Sequence, residues 1–338
     1  MKRLITFFGL LMTFLFFGKS QLVQAAGAEF TLQPVQNQDQ REQADNGYFN
    51  LKVTPGKTGK VAVLVQNRSK TTSRTILVQP VNATTNDSAQ IDYTPAKRQP
   101  NAAAAFTFTS LFPKPVTVTL KPEEGKVVTF EYIVPKQAFN GQLLGSIYAL
   151  DQTKAATKAG ELTNQFASAI AVVLSEQDQL PQANPTLSQA NLAVLQNKPV
   201  VSLKLQNNQP RYVPQMTMDV KIVDRASGRT VAKKTTTKGS LAPNSTFNYA
   251  VPTGSQPLPS GNYQAKVTIK APNKTWQLTK DFTVSGTQTA ATQQDIFRPG
   301  NNNWWLWLII GVLVIILLGL LVIFWRKKHR KMSDNNIN

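Results

Sequence analysis

Apolar and polar residues alternate in short runs through most of the chain. Phe49, Leu51 and Val53 share one side of a two-residue period, with Asn50 and Lys52 on the other. The same period runs through Val61–Val65, Val116–Leu120, Val128–Val134, Val201–Leu205, Met216–Val220 and Tyr263–Ile269. Successive residues of a strand point to opposite faces, so this period describes strands with one buried face. Valine, threonine and aromatics favour strands, and the Gly, Pro, Asn and Ser between the runs supply turns. The pattern predicts an all-β protein built of β-sandwiches, with no amphipathic helix.

The alternation stops at both ends. Residues 304–325 are apolar without a charge. As a helix they would be about 33 Å long, enough to cross the hydrocarbon core of a bilayer. Trp304, Trp305 and Trp307 at one end and Trp325 at the other match the aromatic belts of a membrane-spanning helix. Arg326, Lys327 and Lys328 then open a basic tail, 326–338, expected to stay in the cytoplasm. At the other end, Lys2 and Arg3 precede an apolar run from Leu4 to Phe17 and a small-residue site at Val23-Gln24-Ala25. Residues 1–25 therefore read as a secretory signal peptide, the alternative being an uncleaved anchor. The expected topology is a single pass in the cell membrane, with the N-terminal region extracellular.

Between these ends a repeat divides the chain. Val61-Ala-Val-Leu-Val-Gln66-Asn67 resembles Val201-Ser-Leu-Lys-Leu-Gln206-Asn207, and a Val-Pro pair with a following glycine recurs at Val134, Pro135, Gly141 and at Val251, Pro252, Gly261. Two domains of similar topology follow, at 30–176 and 183–286. The border is open. Runs at 145–150 and 166–174 can pair as a hairpin closing the first domain, or the second domain begins near Asn164, with a border around 150–162. The first domain is longer between its Asn and Val-Pro marks, and the extra residues fall between Asn82 and Pro113. They read either as a binding loop or as a long connection with an extra edge strand. Residues 287–303, rich in Thr, Gln and Asn, read as a flexible stalk.

Composition narrows the chemistry. The chain has no cysteine, and its one histidine is His329 in the tail. That excludes Ser-His-Asp and Cys-His nucleophiles and the usual zinc sites from the exterior. A two-carboxylate glycosidase stays open on composition, but no acidic pair stands out. No catalytic residue, metal or cofactor is expected. With 37 Lys and Arg against 18 Asp and Glu, the chain carries a formal charge of +19. Residues 183–286 hold 13 of the bases and 3 of the acids. Wall polymers, lipid headgroups or acidic glycans suit such a surface, whereas nucleic acid does not suit the compartment. Arg225, Arg229, Lys233, Lys234 and Lys238 form the candidate anion-binding patch, the alternative being an ordinary solvated face.

Several further stretches resemble one family. They are Phe30-Thr-Leu-Gln-Pro34, Gly47–Gly56, Asn82-Ala-Thr-Thr85 with Asp92-Tyr93, Phe139–Tyr148, Ala169–Glu176, Leu205-Gln-Asn207, Leu241–Ser245 and Gly261-Asn-Tyr263. In this order, with the signal, anchor and basic tail, the chain resembles the WxL-interacting proteins of the Gram-positive cell surface. The resemblance implies two tandem immunoglobulin-like domains followed by a single transmembrane helix. The first would be of peptidoglycan-binding type and the second of host-binding type. It further implies a non-enzymatic scaffold or adhesion protein whose partners are WxL-domain surface proteins, peptidoglycan or wall polymers, and host matrix proteins. Trp276-Gln277-Leu278 is itself a W-x-L tripeptide, read here as strand residues of the second core. The alternative function is an adhesin for host extracellular matrix or acidic glycans, acting through the basic second domain.

Overall fold

The computed structural model describes residues 29–41, 47–95, 104–153, 165–297, 308–315 and 317–320. In the first half, β1 (Phe30–Pro34), β3 (Thr58–Asn67) and β8 (Gly125–Ile133) form one antiparallel sheet in the order β1-β3-β8. The facing sheet contains β2 (Phe49–Lys52), β4 (Arg74–Asn82), β7 (Val116–Leu120), β9 (Gln142–Asp151) and β10 (Ala167–Ser175), in the order β2-β10-β9-β4-β7. Only β2 runs parallel to its neighbour, with Val172 opposite Phe49.

The alternation places the core as expected. Val61, Val63, Val65, Phe130 and Tyr132 of one sheet meet Ile76, Val78, Ile147, Val172 and Leu174 of the other, all fully or nearly fully buried. Burying a side chain of this size contributes about 1.5–3 kcal/mol as an upper bound. The runs at 145–150 and 166–174 pair as an antiparallel hairpin, from Leu150 opposite Ala167 to Gln142 opposite Ser175. Ile170, Val172 and Leu174 thereby join the first core.

The second half holds β11 (Pro185–Leu195), β12 (Lys198–Asn207) and β15 (Ser245–Pro252) in the order β11-β12-β15. Facing it are β13 (Val213–Asp224), β14 (Thr230–Leu241), β16 (Gly261–Ala271) and β17 (Lys274–Val284), in the order β14-β13-β16-β17. Its core takes Leu203, Leu205, Phe247 and Tyr249 from one sheet and Met218, Val220, Val267 and Ile269 from the other. Trp276 and Leu278 pack against that core from β17. With β2 and two short insert strands set aside, both halves share one topology. Strands one, two and five make one sheet, and four, three, six and seven the other.

The repeated asparagine has the same job in both halves. Asn67 ends β3 fully buried and donates to the carbonyls of Thr72 and Lys121, at 2.9 and 2.8 Å, while its Oδ1 accepts the Ser69 N–H. Asn207 ends β12 fully buried and donates to Arg211 and Ala242 at 2.7 and 3.0 Å, accepting the Gln209 N–H. A buried amide on carbonyls of turns that no strand can satisfy explains why the residue recurs.

The stalk expected over 287–303 is corrected in its described part. Gly286–Phe297 is a helix, α1. Ser285 starts it: its Oγ accepts the Gln288 N–H at 3.2 Å, and Gln288 Oε1 accepts the Ser285 N–H at 2.9 Å, a reciprocal capping box. The helix lies against β11 and β12, with Thr289 Oγ1 donating to the Leu258 carbonyl at 2.9 Å and Thr292 buried. Among the described residues no helix is long and apolar enough to cross a membrane. Residues 308–315 and 317–320 are helical with exposed apolar side chains. Trp304, Trp305, Trp307, Trp325, Arg326, Lys327 and Lys328, with the signal at 1–25, lie outside the described residues.

Candidate functional surfaces

The basic residues picked from sequence do not form one patch. Arg225 lies in the β13–β14 turn and is ion-paired to Asp281 of β17, beside a cleft of about 760 Å3 that also includes Tyr263 and Asn262. Arg229 ends the same turn, its carbonyl accepting the Asp224 N–H at 2.9 Å. Lys234 faces inward: its ammonium donates to the Ala250 carbonyl at 2.9 Å and lies 4.1 Å from the centre of the Tyr249 ring. Burial pushes that lysine's pKa down. Lys238 sits at the far end of β14 with φ of 55°, its carbonyl accepting from Gln90 Nε2. Of the five, only Lys233 faces outward from the middle of its strand, β14, beside Lys221 of β13. There it joins three lysines that sequence reasoning missed, because only strand register brings them together. Lys233 stands opposite Lys221 and Lys221 opposite Lys266, with Lys270 on the same face.

The described parts of the insert between Asn82 and Pro113 pack against the rest of the molecule. Its strands β5 (Thr84–Thr85) and β6 (Ile91–Asp92) form a hairpin that reaches the second half. Thr85 Oγ1 accepts the Ala242 N–H at 2.9 Å and lies 2.7 Å from Ser245 Oγ. Ser245 in turn donates to the Ala242 carbonyl, so Thr85 is the donor to Ser245. Ser240 N–H donates to the Ala89 carbonyl, and Asn248 N–H to the Asp87 carboxylate. An apolar contact of Ala83, Leu144, Val173 and Ala242, flanked by Tyr48, Tyr93 and Tyr212, completes the junction. Burial, then the nearby Tyr212 and Tyr48, pushes the Tyr93 hydroxyl up to about 12. Gly141, at φ of 139°, runs so close to Pro210 that a Cβ there would lie 2.3 Å from the Pro210 carbonyl oxygen.

The insert's second described part is a 3-10 turn, Phe108–Leu111. Phe108 and Leu111, with the neighbouring Phe112, plug the first core, and a Cβ on Gly145 would lie 2.0 Å from the Phe108 ring. Among the described residues of the insert, no strand is added to the edge of the main sheet: β5 and β6 pair only with each other.

The first half also has a polar cleft of about 640 Å3, bordered by Gln36, Gln38, Arg41 and Tyr48. Arg41 is ion-paired there to Asp178 and reaches Ser175 Oγ at 3.2 Å. Arg41 and Lys52 hold the Asp178 carboxyl below the usual range, by hydrogen bonds first and by charge second. Among the described residues no group of three His, Cys, Asp or Glu could hold a metal ion.

Residues 30–151 match the family model of the peptidoglycan-binding domain of WxL interacting proteins, and residues 157–294 match that of their host-binding domain. The second match takes in β10, which pairs into the first half's sheet, and most of α1. No curated protein matches the chain. Among solved structures, the Pseudomonas aeruginosa CupB2 chaperone is 15% identical over 67% of this chain and 93% of its own, with a TM-score of 0.26. The class 5 fimbriae chaperone CfaA is 12% identical over 76% and 100%, at 0.29. A Parabacteroides merdae β-glucuronidase is 10% identical over 67% and 28%, at 0.25.

Proposed function

The chain belongs to the WxL-interacting protein family, and we propose that it is a non-enzymatic scaffold on the cell surface. Both matched domains are binding domains, one for peptidoglycan and one for a host. We read each half as an immunoglobulin-like domain. Support comes from the shared seven-strand order, split between two facing antiparallel sheets. In this reading the first half contacts the wall, the second faces outward to the host, and WxL-domain proteins are the protein partners. Residues 304–325 anchor the chain in the membrane.

The observation that carries the proposal is the pair of family matches at 30–151 and 157–294, in the order wall domain then host domain. The test is a pull-down of the full chain against purified peptidoglycan and against cognate WxL-domain proteins. Retention of both is expected; retention of neither sinks the scaffold. Topology is tested separately. The chain has no cysteine, so a cysteine placed at Gln177 or at Ser333 is a unique label. An impermeant maleimide should react with intact cells at the first position and not at the second.

A further inference from the structure

The outer face of the second half's four-stranded sheet concentrates positive charge where the fold gains nothing from it. Lys233 of β14, Lys221 of β13 and Lys266 of β16 stand side by side across three strands. Neighbouring strands are about 4.8 Å apart, so the three lysine side chains rise from adjacent points of the sheet. With Lys270 they border a shallow groove of about 520 Å3, and all four are exposed. Like charges directly opposite destabilise a strand pair. Among the described residues none of the four makes an ion pair. The one carboxylate in the groove, Asp219, accepts a hydrogen bond from Thr235 Oγ1 at 2.8 Å.

Lysines on an edge strand are a common guard against unwanted strand pairing. That accounts for Lys233 on β14, which is an edge. It does not account for Lys221 and Lys266, because β13 and β16 are the two central strands. A ligand does account for them. The same face carries Thr268 beside Lys266, with Thr279 and Gln277 opposite those two residues on β17. The aromatic residues of β16 and β17, Tyr263, Trp276 and Phe282, pack on the core side instead. The groove therefore offers cations interleaved with hydroxyls and amides, and no ring for a base to stack on.

We propose that this face binds a linear anionic polysaccharide, laid across the strands. Its sulfate or carboxylate groups meet the lysines, and its sugar hydroxyls meet the threonines and glutamine. This deepens the reading of the second half as the host-facing module by naming the class of ligand.

The test measures retention of the full chain, in detergent, on immobilised heparin. Binding is expected at about 0.15 M salt and release well below 1 M, because the contacts are exposed charges. The triple variant Lys221→Gln, Lys233→Gln, Lys266→Gln should weaken binding by about tenfold or more. Its melting temperature should stay level or rise, because repulsion is removed. The control triple variant Lys198→Gln, Arg229→Gln, Lys238→Gln removes the same charge elsewhere and should weaken binding by less than about twofold. Equal losses in the two triples would mean that net charge alone acts and would overturn the site. Absence of wild-type retention overturns it too, and inorganic polyphosphate bound as tightly as heparin overturns the sugar component. Failure here, with peptidoglycan and WxL-domain pull-downs intact, leaves the scaffold reading standing.

Discussion

The two halves use one strand order and part ways at one connection. In the second half, β13 passes to β14 through a short turn. Asp224 closes it by accepting the Ala226 N–H and the Ser227 hydroxyl, bonds that hold its carboxyl below the usual range, and Gly228 supplies the positive φ. In the first half the equivalent passage from β4 to β7 is long, and it does two jobs. One stretch straps the halves together through Thr85, Ala89 and Asp87. Another drives Phe108 into the core beside Gly145. The difference teaches that an insertion on a sandwich can be spent inside the molecule. The half without one keeps its broad sheet face bare, and that is where the lysines stand.

Five substitutions break or sharpen this contrast. Phe108→Ala should have the largest effect, about 3–5 kcal/mol, because it empties a buried aromatic site. Denaturant unfolding followed by hydrogen exchange should place the loss in the first half. Uniform loss across both halves would contradict the plug's local role.

Next are Asn67→Ala and Asn207→Ala. Each removes an amide donor from turn carbonyls, Thr72 and Lys121 in one half and Arg211 and Ala242 in the other, and should cost about 2–3 kcal/mol in its own half. Matching losses confirm one device used twice, and a neutral result at either site breaks the equivalence. Thr85→Val should cost about 1–2 kcal/mol, read as uncoupling of the two halves' unfolding transitions while each half stays folded.

The smallest effect is expected from Asp178→Asn, at the exposed clasp with Arg41 and Lys52. The folded carboxyl has a lowered pKa. Its contribution is therefore full above the usual carboxylate range and disappears as pH falls through the folded value. Wild type and variant should differ slightly in melting temperature at neutral pH and converge in acid.

Much of this was legible in the chain. The two-residue alternation placed Val61–Val65 and Tyr263–Ile269 on strands with the buried face correctly assigned. The Gln-Asn repeat marked two equivalent strand ends, and the longer first half located the insertion. The helix after Ser285 was missed: Ser285 and Gln288, three residues apart, carry its capping signal, but the stretch is polar and weakly amphipathic. The basic patch was not legible. Adjacent residues of a strand face opposite ways, so Lys233 and Lys234 had to part, and only Lys233 looks outward.

By itself the sequence determined where strands run, which of their faces is apolar, that the pattern occurs twice, and that both halves lack the histidine and cysteine of common catalytic sites. Such properties are local: they depend on residue type and a period of two. Tertiary structure alone decided that the insert joins the halves and that Lys221, Lys233 and Lys266 form one row. Both depend on which strands neighbour each other and in what register. That is set by packing between segments far apart in the chain, and no local period encodes it.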